Sequence, residues 1–246
     1  AALLLVTACG GTSPYAIQSE IDAGNFEGAA EKLAKRRDAY PDDFDTRLNL
    51  ADVYYQLARE SLDAKNQTAY VDYLAKAQAE VLEAVRIDPT SPRPHTWLGI
   101  ITAYQGDLDS SETSFKNALR LNLAERMELR AGTYYSNIAH ISVYQGKLGD
   151  ARRYLDKGVK NGAPQDEIDR ISVLAAWKAN DMVEARDVFN SAIVLSPAFG
   201  ATWDGAPLPQ PMTTFDDFAA TCCSNPTCGP YMEGACKRSK QNIVRR

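Results

Sequence analysis

The chain has 246 residues, 45% of them hydrophobic and 24% charged, with a formal net charge of −5. That length allows one or two domains, and the acidic balance argues against a nucleic-acid partner, which calls for a basic face. Only two histidines are present, His95 and His140, too few for a multi-histidine metal site.

Ala1 to Ala8 form an apolar run that ends at Cys9 and is followed by Gly10, Gly11, Thr12, Ser13 and Pro14. Eight residues cannot span a bilayer, where about 20 are needed. With no charged segment before the run, the expectation is a chain that begins partway into a secretory signal. Val6-Thr7-Ala8-Cys9 resembles the box of bacterial lipoproteins: aliphatic, small, small, cysteine. The resemblance implies that Cys9 becomes the lipidated first residue of the mature protein, and Gly10 after it is similar to the outer-membrane-sorted form. The polar Gly/Ser/Thr/Pro run suits a flexible tether. Residues 1–14 are therefore read as a partial lipoprotein signal and tether, the alternative being a plainly cleaved signal or a short buried segment that happens to contain a cysteine.

Residues 15–197 carry a spaced pattern. Ala29, Leu33, Arg36 and Pro41 are separated by steps of four, three and five, and Ala77, Val81, Ala84 and Pro89 repeat the steps. Ser111, Phe115, Ala118 and Leu123 follow with leucine in the proline slot, and Ala185, Phe189, Ala192 and Pro197 give the most regular copy. Residues three and four apart share a helix face, where a small side chain lets a neighbouring helix approach. Proline then cannot continue the helix. The pattern resembles the second helix of a tetratricopeptide repeat. A small residue twelve positions earlier is expected on the first helix, and Gly99 and Ala139 stand there. The segments Tyr104–Leu108 and Tyr144–Leu148, nearly identical and forty residues apart, read as turns set by glycine. Gly24-Asn25 and Asn180-Asp181 read the same way.

Five helix pairs are expected, at roughly 13–41, 44–89, 92–123, 124–163 and 165–197. The second exceeds the family period of about 34 residues by some 14 residues between Tyr54 and Ala77, through Glu60, Asp63, Lys65, Asn66 and Gln67. These are read as lengthened helices around a polar turn. The first helix of the fourth pair is expected to start early, at Leu123-Ala124-Glu125-Arg126. The resemblance implies an all-α fold: a right-handed α-solenoid of about five such pairs, each burying its apolar face on the next, with an irregular Cys-rich C-terminal tail.

In this family the first helix of each pair lines a concave face that holds a protein or peptide partner. Carried over by position, that groove comprises Asp52, Tyr55, Arg93, Trp97 and Tyr104, then Asn137, His140, Tyr144, Arg170, Trp177 and Lys178. Tyr, Trp and Arg dominate binding energy at protein interfaces, although any one of these rings could equally be core packing. The Lys/Asn clamp that some relatives use for a C-terminal carboxylate is missing: the matching positions are Leu48/Asp52, Thr96/Ile100, Ser136/His140 and Arg170/Leu174.

Residues 198–246 depart from the repeat. Phe199, Trp203, Pro207, Pro209 and Pro211 form a Pro-rich segment expected to cap the stack, and a short helix is expected from Thr214 to Ala220. Cys222, Cys223, Cys228 and Cys236 follow, and in an exported chain they read as disulfide candidates. A vicinal Cys222–Cys223 bridge is disfavoured by strain, leaving the other connectivities open. The spacing lacks the C-x2-C pairs of a zinc site. The end is basic, with Lys237, Arg238, Lys240, Arg245 and Arg246, and Ile243-Val244-Arg245-Arg246 looks like the start of a further helix.

No catalytic set, phosphate loop or zinc-protease motif is visible, so the chain reads as a non-enzyme that needs no cofactor and no metal. The expected role is a lipid-anchored protein-binding scaffold on the periplasmic face of a bacterial outer membrane. The resemblance extends this to an assembly or pilotin-like factor for a pilus, secretion or other outer-membrane machine. The alternative is a repeat docking arm that carries a metal-binding or thiol-redox Cys-rich module.

Overall fold

The computed structural model describes residues 13–124, 131–181, 184, 185, 187 and 188. Among them all regular structure is helical: α1 Pro14–Asp22, α2 Phe26–Ala39, α3 Phe44–Asp63, α4 Gln67–Ile87, α5 Pro92–Tyr104, α6 Leu108–Ala124, α7 Ala131–Tyr144, α8 Leu148–Lys160 and α9 Gln165–Lys178. Glu184, Ala185, Asp187 and Val188 are helical too. Cys9, the four tail cysteines and the whole of the Pro-rich segment lie outside the described residues.

The turns inside the pairs are five copies of one device. A residue just past each first helix takes a positive φ: Gly24, Lys65, Gly106, Gly146 and Asn180. Its N–H donates to the carbonyl three residues back, and the next N–H closes a wider loop, to the carbonyl five back. Asn25 N bonds Glu20 O, Asn66 N bonds Ser61 O, and Asp107 N bonds Thr102 O; Lys147 N reaches Ser142 O and Asp181 N reaches Ala176 O, all at 2.8–2.9 Å. This is the Schellman closure, which satisfies the carbonyls a helix end leaves bare. The same next residue then caps the second helix. Asn25, Asn66, Asp107 and Asp181 accept from the backbone N–H three residues on, at 3.0–3.2 Å. Lys147 has no capping side chain and does something else, described below.

The chain divides into two compact units, Ala1–Ile101 and Thr102–Arg246, the division falling within α5. In the first, α1 packs on α2, α2 on α3 and α3 on α4. Its core gathers Ile17, Ala29, Leu33, Leu50, Val53 and Leu57, with Phe26, Tyr54 and Tyr73 against the edge. In the second, α6 packs on α7, while α7, α8 and α9 all touch one another, around Ala139, Val143, Ala151, Ile171 and Leu174. The spaced small residues are at the centre of this packing: Ala29, Ala77, Ala84, Ser111, Ala118, Ala151 and Ala185 are all 0% exposed. Ala151, Leu155, Gly158 and Ala163 complete the same steps in the fourth pair, with alanine in the proline slot. Arg36, in a slot meant for a small residue, instead donates to Thr46 Oγ1 at 2.9 Å and to Asp43 Oδ2 at 3.0 Å. It thereby ties the end of α2 to the N-cap of α3.

The second pair is lengthened as expected: α3 and α4 run 20 and 21 residues around the Ala64–Asn66 turn. One expectation is corrected. Leu123 and Ala124 belong to α6, while Glu125 and Arg126 lie outside the described residues. With no proline at position 123 to stop it, α6 continues through the residue that fills that slot.

Candidate functional site

In the first unit the predicted residues sit on α3 and α5. Tyr55 is buried and meets the half-buried Trp97 edge-on, ring centroids 5.7 Å apart. Arg93 is exposed and pairs with Asp45 at 2.8 Å, its guanidinium 5.4 Å from the Phe44 ring. It thus fastens α5 to the first turn of α3. Asp52 is half-buried and accepts from Gln56 Nε2 at 3.1 Å, and Gln56 Oε1 accepts from Arg59 Nη1 at 3.4 Å. Gln56 and Arg59 were not anticipated. The available signal was their spacing, since 52, 56 and 59 fall on one helix face once α3 is known to run past a normal length.

In the second unit Tyr104 ends α5 and is 3% exposed, so its ring belongs to the core. Asn137, His140 and Tyr144 share a face of α7. His140 Nε2 lies 3.2 Å from the Tyr144 hydroxyl, with the rings 4.9 Å apart. Burial, and then the Arg170 charge on α9, push the His140 imidazole down to about 4, so it is neutral at neutral pH. Burial pushes the Tyr144 phenol up. Arg170 pairs with Asp166 at 2.9 Å. Beside it burial raises the Glu167 carboxyl, opposed by a hydrogen bond from Ser136 and by Arg170. Trp177 is half-buried against the core of this unit, and Lys178 is exposed at the end of α9.

The structure therefore unites Tyr55 with Trp97, and His140 with Tyr144 and Arg170. It leaves Arg93 and Lys178 at the edges and Tyr104 inside. What these faces offer is aromatic surface with charged neighbours, which is binding chemistry. His140 is hydrogen-bonded to a phenol. Among the described residues no group of three or more His, Cys, Asp or Glu could hold a metal ion, and no helix is long and apolar enough to cross a membrane.

A neighbouring brace was also missed from sequence. The turn before α8 grips α6: Gln145 Nε2 donates to Asp109 Oδ1 at 2.8 Å and to Leu108 O at 3.3 Å, and Lys147 Nζ reaches Glu112 at 2.9 Å. Lys116 holds the other Glu112 oxygen at 2.6 Å. Burial pushes the Glu112 carboxyl up, but the hydrogen bonds from Lys116, Lys147 and Gln145 outweigh it and bring it down to about 2.

Comparison with known proteins agrees with this architecture. The family model for the tetratricopeptide repeat matches residues 16–66 and 136–198. Among solved structures, PilW, described as a widely conserved type IV pilus biogenesis factor, superposes with a TM-score of 0.67 at 15% identity, over 93% of this chain and 94% of that one. MamA superposes at 0.54 with 18% identity, over 78% and 94%. A thermophilic tetratricopeptide-repeat protein from Thermus thermophilus superposes at 0.53 with 20% identity, over 69% and 79%. No curated protein matches the sequence. With its signature residues buried between paired helices, its turns built to one plan and the family model matched over residues 16–66 and 136–198, the chain carries tetratricopeptide repeats in those two stretches.

Proposed function

We propose that this chain is a non-enzymatic, lipid-anchored scaffold on the periplasmic face of a bacterial outer membrane, serving as an assembly or pilotin-like factor for a pilus, secretion or other outer-membrane machine. Tetratricopeptide repeats are protein-binding modules, and the observation that carries the reading is the aromatic and charged surface of the first helices. Trp97, backed by the buried Tyr55, in one unit, and the half-buried His140, Tyr144 and Arg170 in the other, are residue types that anchor protein interfaces. The likeness to PilW, a type IV pilus biogenesis factor, over nearly the whole of both chains supports a role in pilus assembly.

Anchoring rests on Val6-Thr7-Ala8-Cys9 and the polar tether after it. One acyl chain gives only marginal membrane binding, whereas two or more hold firmly, and bacterial lipoproteins of the kind this box resembles carry several. The four tail cysteines, exposed to an oxidising compartment, would then be paired as disulfides. The test is metabolic labelling in a bacterial host: labelled palmitate is expected in the wild-type protein and absent from Cys9→Ala, which should also leave the membrane fraction. A Cys9→Ala protein that still fractionates with membranes would overturn the anchoring.

A further inference from the structure

Asn161 is the one asparagine in the sequence that is followed by glycine. That dipeptide carries a latent reaction. The Gly162 nitrogen attacks the side-chain carbonyl carbon of Asn161 and gives up its proton, and the side-chain nitrogen leaves as ammonia. Water then opens the five-membered imide to aspartate or isoaspartate. Water is the only co-reactant, and glycine favours the step because no side chain hinders its nitrogen or restricts its swing.

The closed structure denies each requirement. Asn161 is the C-cap of α8, with φ −110° and ψ 20°. At that ψ the Gly162 nitrogen is nearly eclipsed with the nitrogen of Asn161. Ring closure needs it beside Cβ instead, so the peptide plane must swing first. The attacking N–H is occupied, donating to Val159 O at 3.2 Å. Asn161 Nδ2 donates to Lys157 O at 2.7 Å, which holds the side chain back along its own helix. The next N–H, of Ala163, donates to Gly158 O at 2.9 Å and closes the loop. Packing adds a further restraint. Gly132 of α7 is buried beneath this loop, and a Cβ there would fall within 2.7 Å of Asn161 O and Gly162 C. The Asn161 carbonyl moves with the peptide plane, so the swing lifts the loop from α7.

We infer that Asn161 is a site of self-deamidation gated by the loop between α8 and α9. The folded molecule withholds the reaction, and each lifting of the loop from Gly132 permits it. The rate in the native protein is then the rate of the open chain multiplied by the open fraction. Loss of ammonia makes the change permanent, so the modified fraction records past openings. This goes beyond the binding role proposed above and does not depend on it.

The experiment is peptide mapping by mass spectrometry of the full chain, incubated at one mildly alkaline pH in buffer and in guanidinium chloride. Deamidation at Asn161 should be at least about tenfold slower in buffer, since two hydrogen bonds and the packing on Gly132 must be broken first. Gly132→Ala, which crowds the loop, should raise the rate in buffer at least about threefold. Gly149→Ala, whose added methyl meets nothing within 4 Å, should leave it unchanged. If Gly132→Ala does not fold, its rate should match that in denaturant, and the wild-type comparison decides. Equal wild-type rates in buffer and denaturant overturn the inference, as does a folded Gly132→Ala protein that reacts no faster than wild type.

Discussion

Gly132 shows how much one missing methyl group decides. It lies near the start of α7, buried against the loop that follows α8. A Cβ there would fall 2.6 Å from Asn161 O and 2.7 Å from Gly162 C, and nearer still to Ala163 N. Those atoms are backbone and cannot rotate away. Gly132→Ala is expected to destabilise the protein by about 1–3 kcal/mol through overpacking, despite alanine's better helix propensity. Gly149→Ala, where nothing lies within 4 Å, should be neutral or stabilising by up to about 1 kcal/mol. Urea unfolding of the two variants checks the contrast, and equal effects would contradict it. The sequence marks neither glycine, because the difference lies in what another segment does nearby. Glu80 has the same character: an anonymous glutamate of α4, it is 6% exposed because Arg37 of α2 and Arg47 of α3 converge on it.

At the scale of elements the turns were the most legible part. Glycine at 24, 106 and 146 and asparagine at 180 announce a left-handed residue, and each takes a positive φ. The second pair breaks the rule by placing Lys65 there, at φ 57°. Lysine tolerates that conformation poorly, so Lys65→Gly is expected to stabilise the protein by about 0.5–1 kcal/mol. Asn66→Ala removes the side chain that caps α4 through Ala69 N and should cost about 1 kcal/mol. Thermal melts of the two variants should move in opposite directions; a shift of the same sign in both would contradict the turn described here. The location of the turn could be read from its polar residues, but Lys65 itself gave no cue. The end of α6 was misjudged for a related reason. Sequence supplies stop signals only where a breaker stands, and position 123 holds leucine.

For the molecule as a whole, His140 and Glu112 are two groups whose shifts make stability fall in acid. The folded state holds His140 near 4, below its ordinary 6.5. The unfolded chain therefore takes up a proton first, and stability is lost as pH falls from about 6.5 to about 4. Glu112 sits near 2 against an ordinary 4.5, so its contribution is complete above about 4.5 and is lost as pH falls toward 2. Each is worth roughly 3 kcal/mol by proton linkage. Unfolding free energy measured against pH should thus decline in two stages. His140→Phe should flatten the upper stage and Glu112→Gln the lower one. A curve unchanged by both substitutions would show that neither group is held as described.

The sequence by itself determined the helices, the pairing and the repeat pattern. Each of these is written in local spacings: small residues three and four apart, turn residues at fixed offsets, prolines after helix ends. Those signals survive without knowledge of any distant neighbour. The same spacing nominated the first-helix faces, since position along a repeat predicts which side of a helix points outward. Only the tertiary structure decided which nominees remain accessible. Tyr104 went into the core and Arg93 into a brace with Asp45, because burial and ion pairing depend on what another helix presents. Arg59 was invisible for the converse reason: among the described residues its buried Nε has no acceptor, and that can be seen only once the neighbouring groups have been placed.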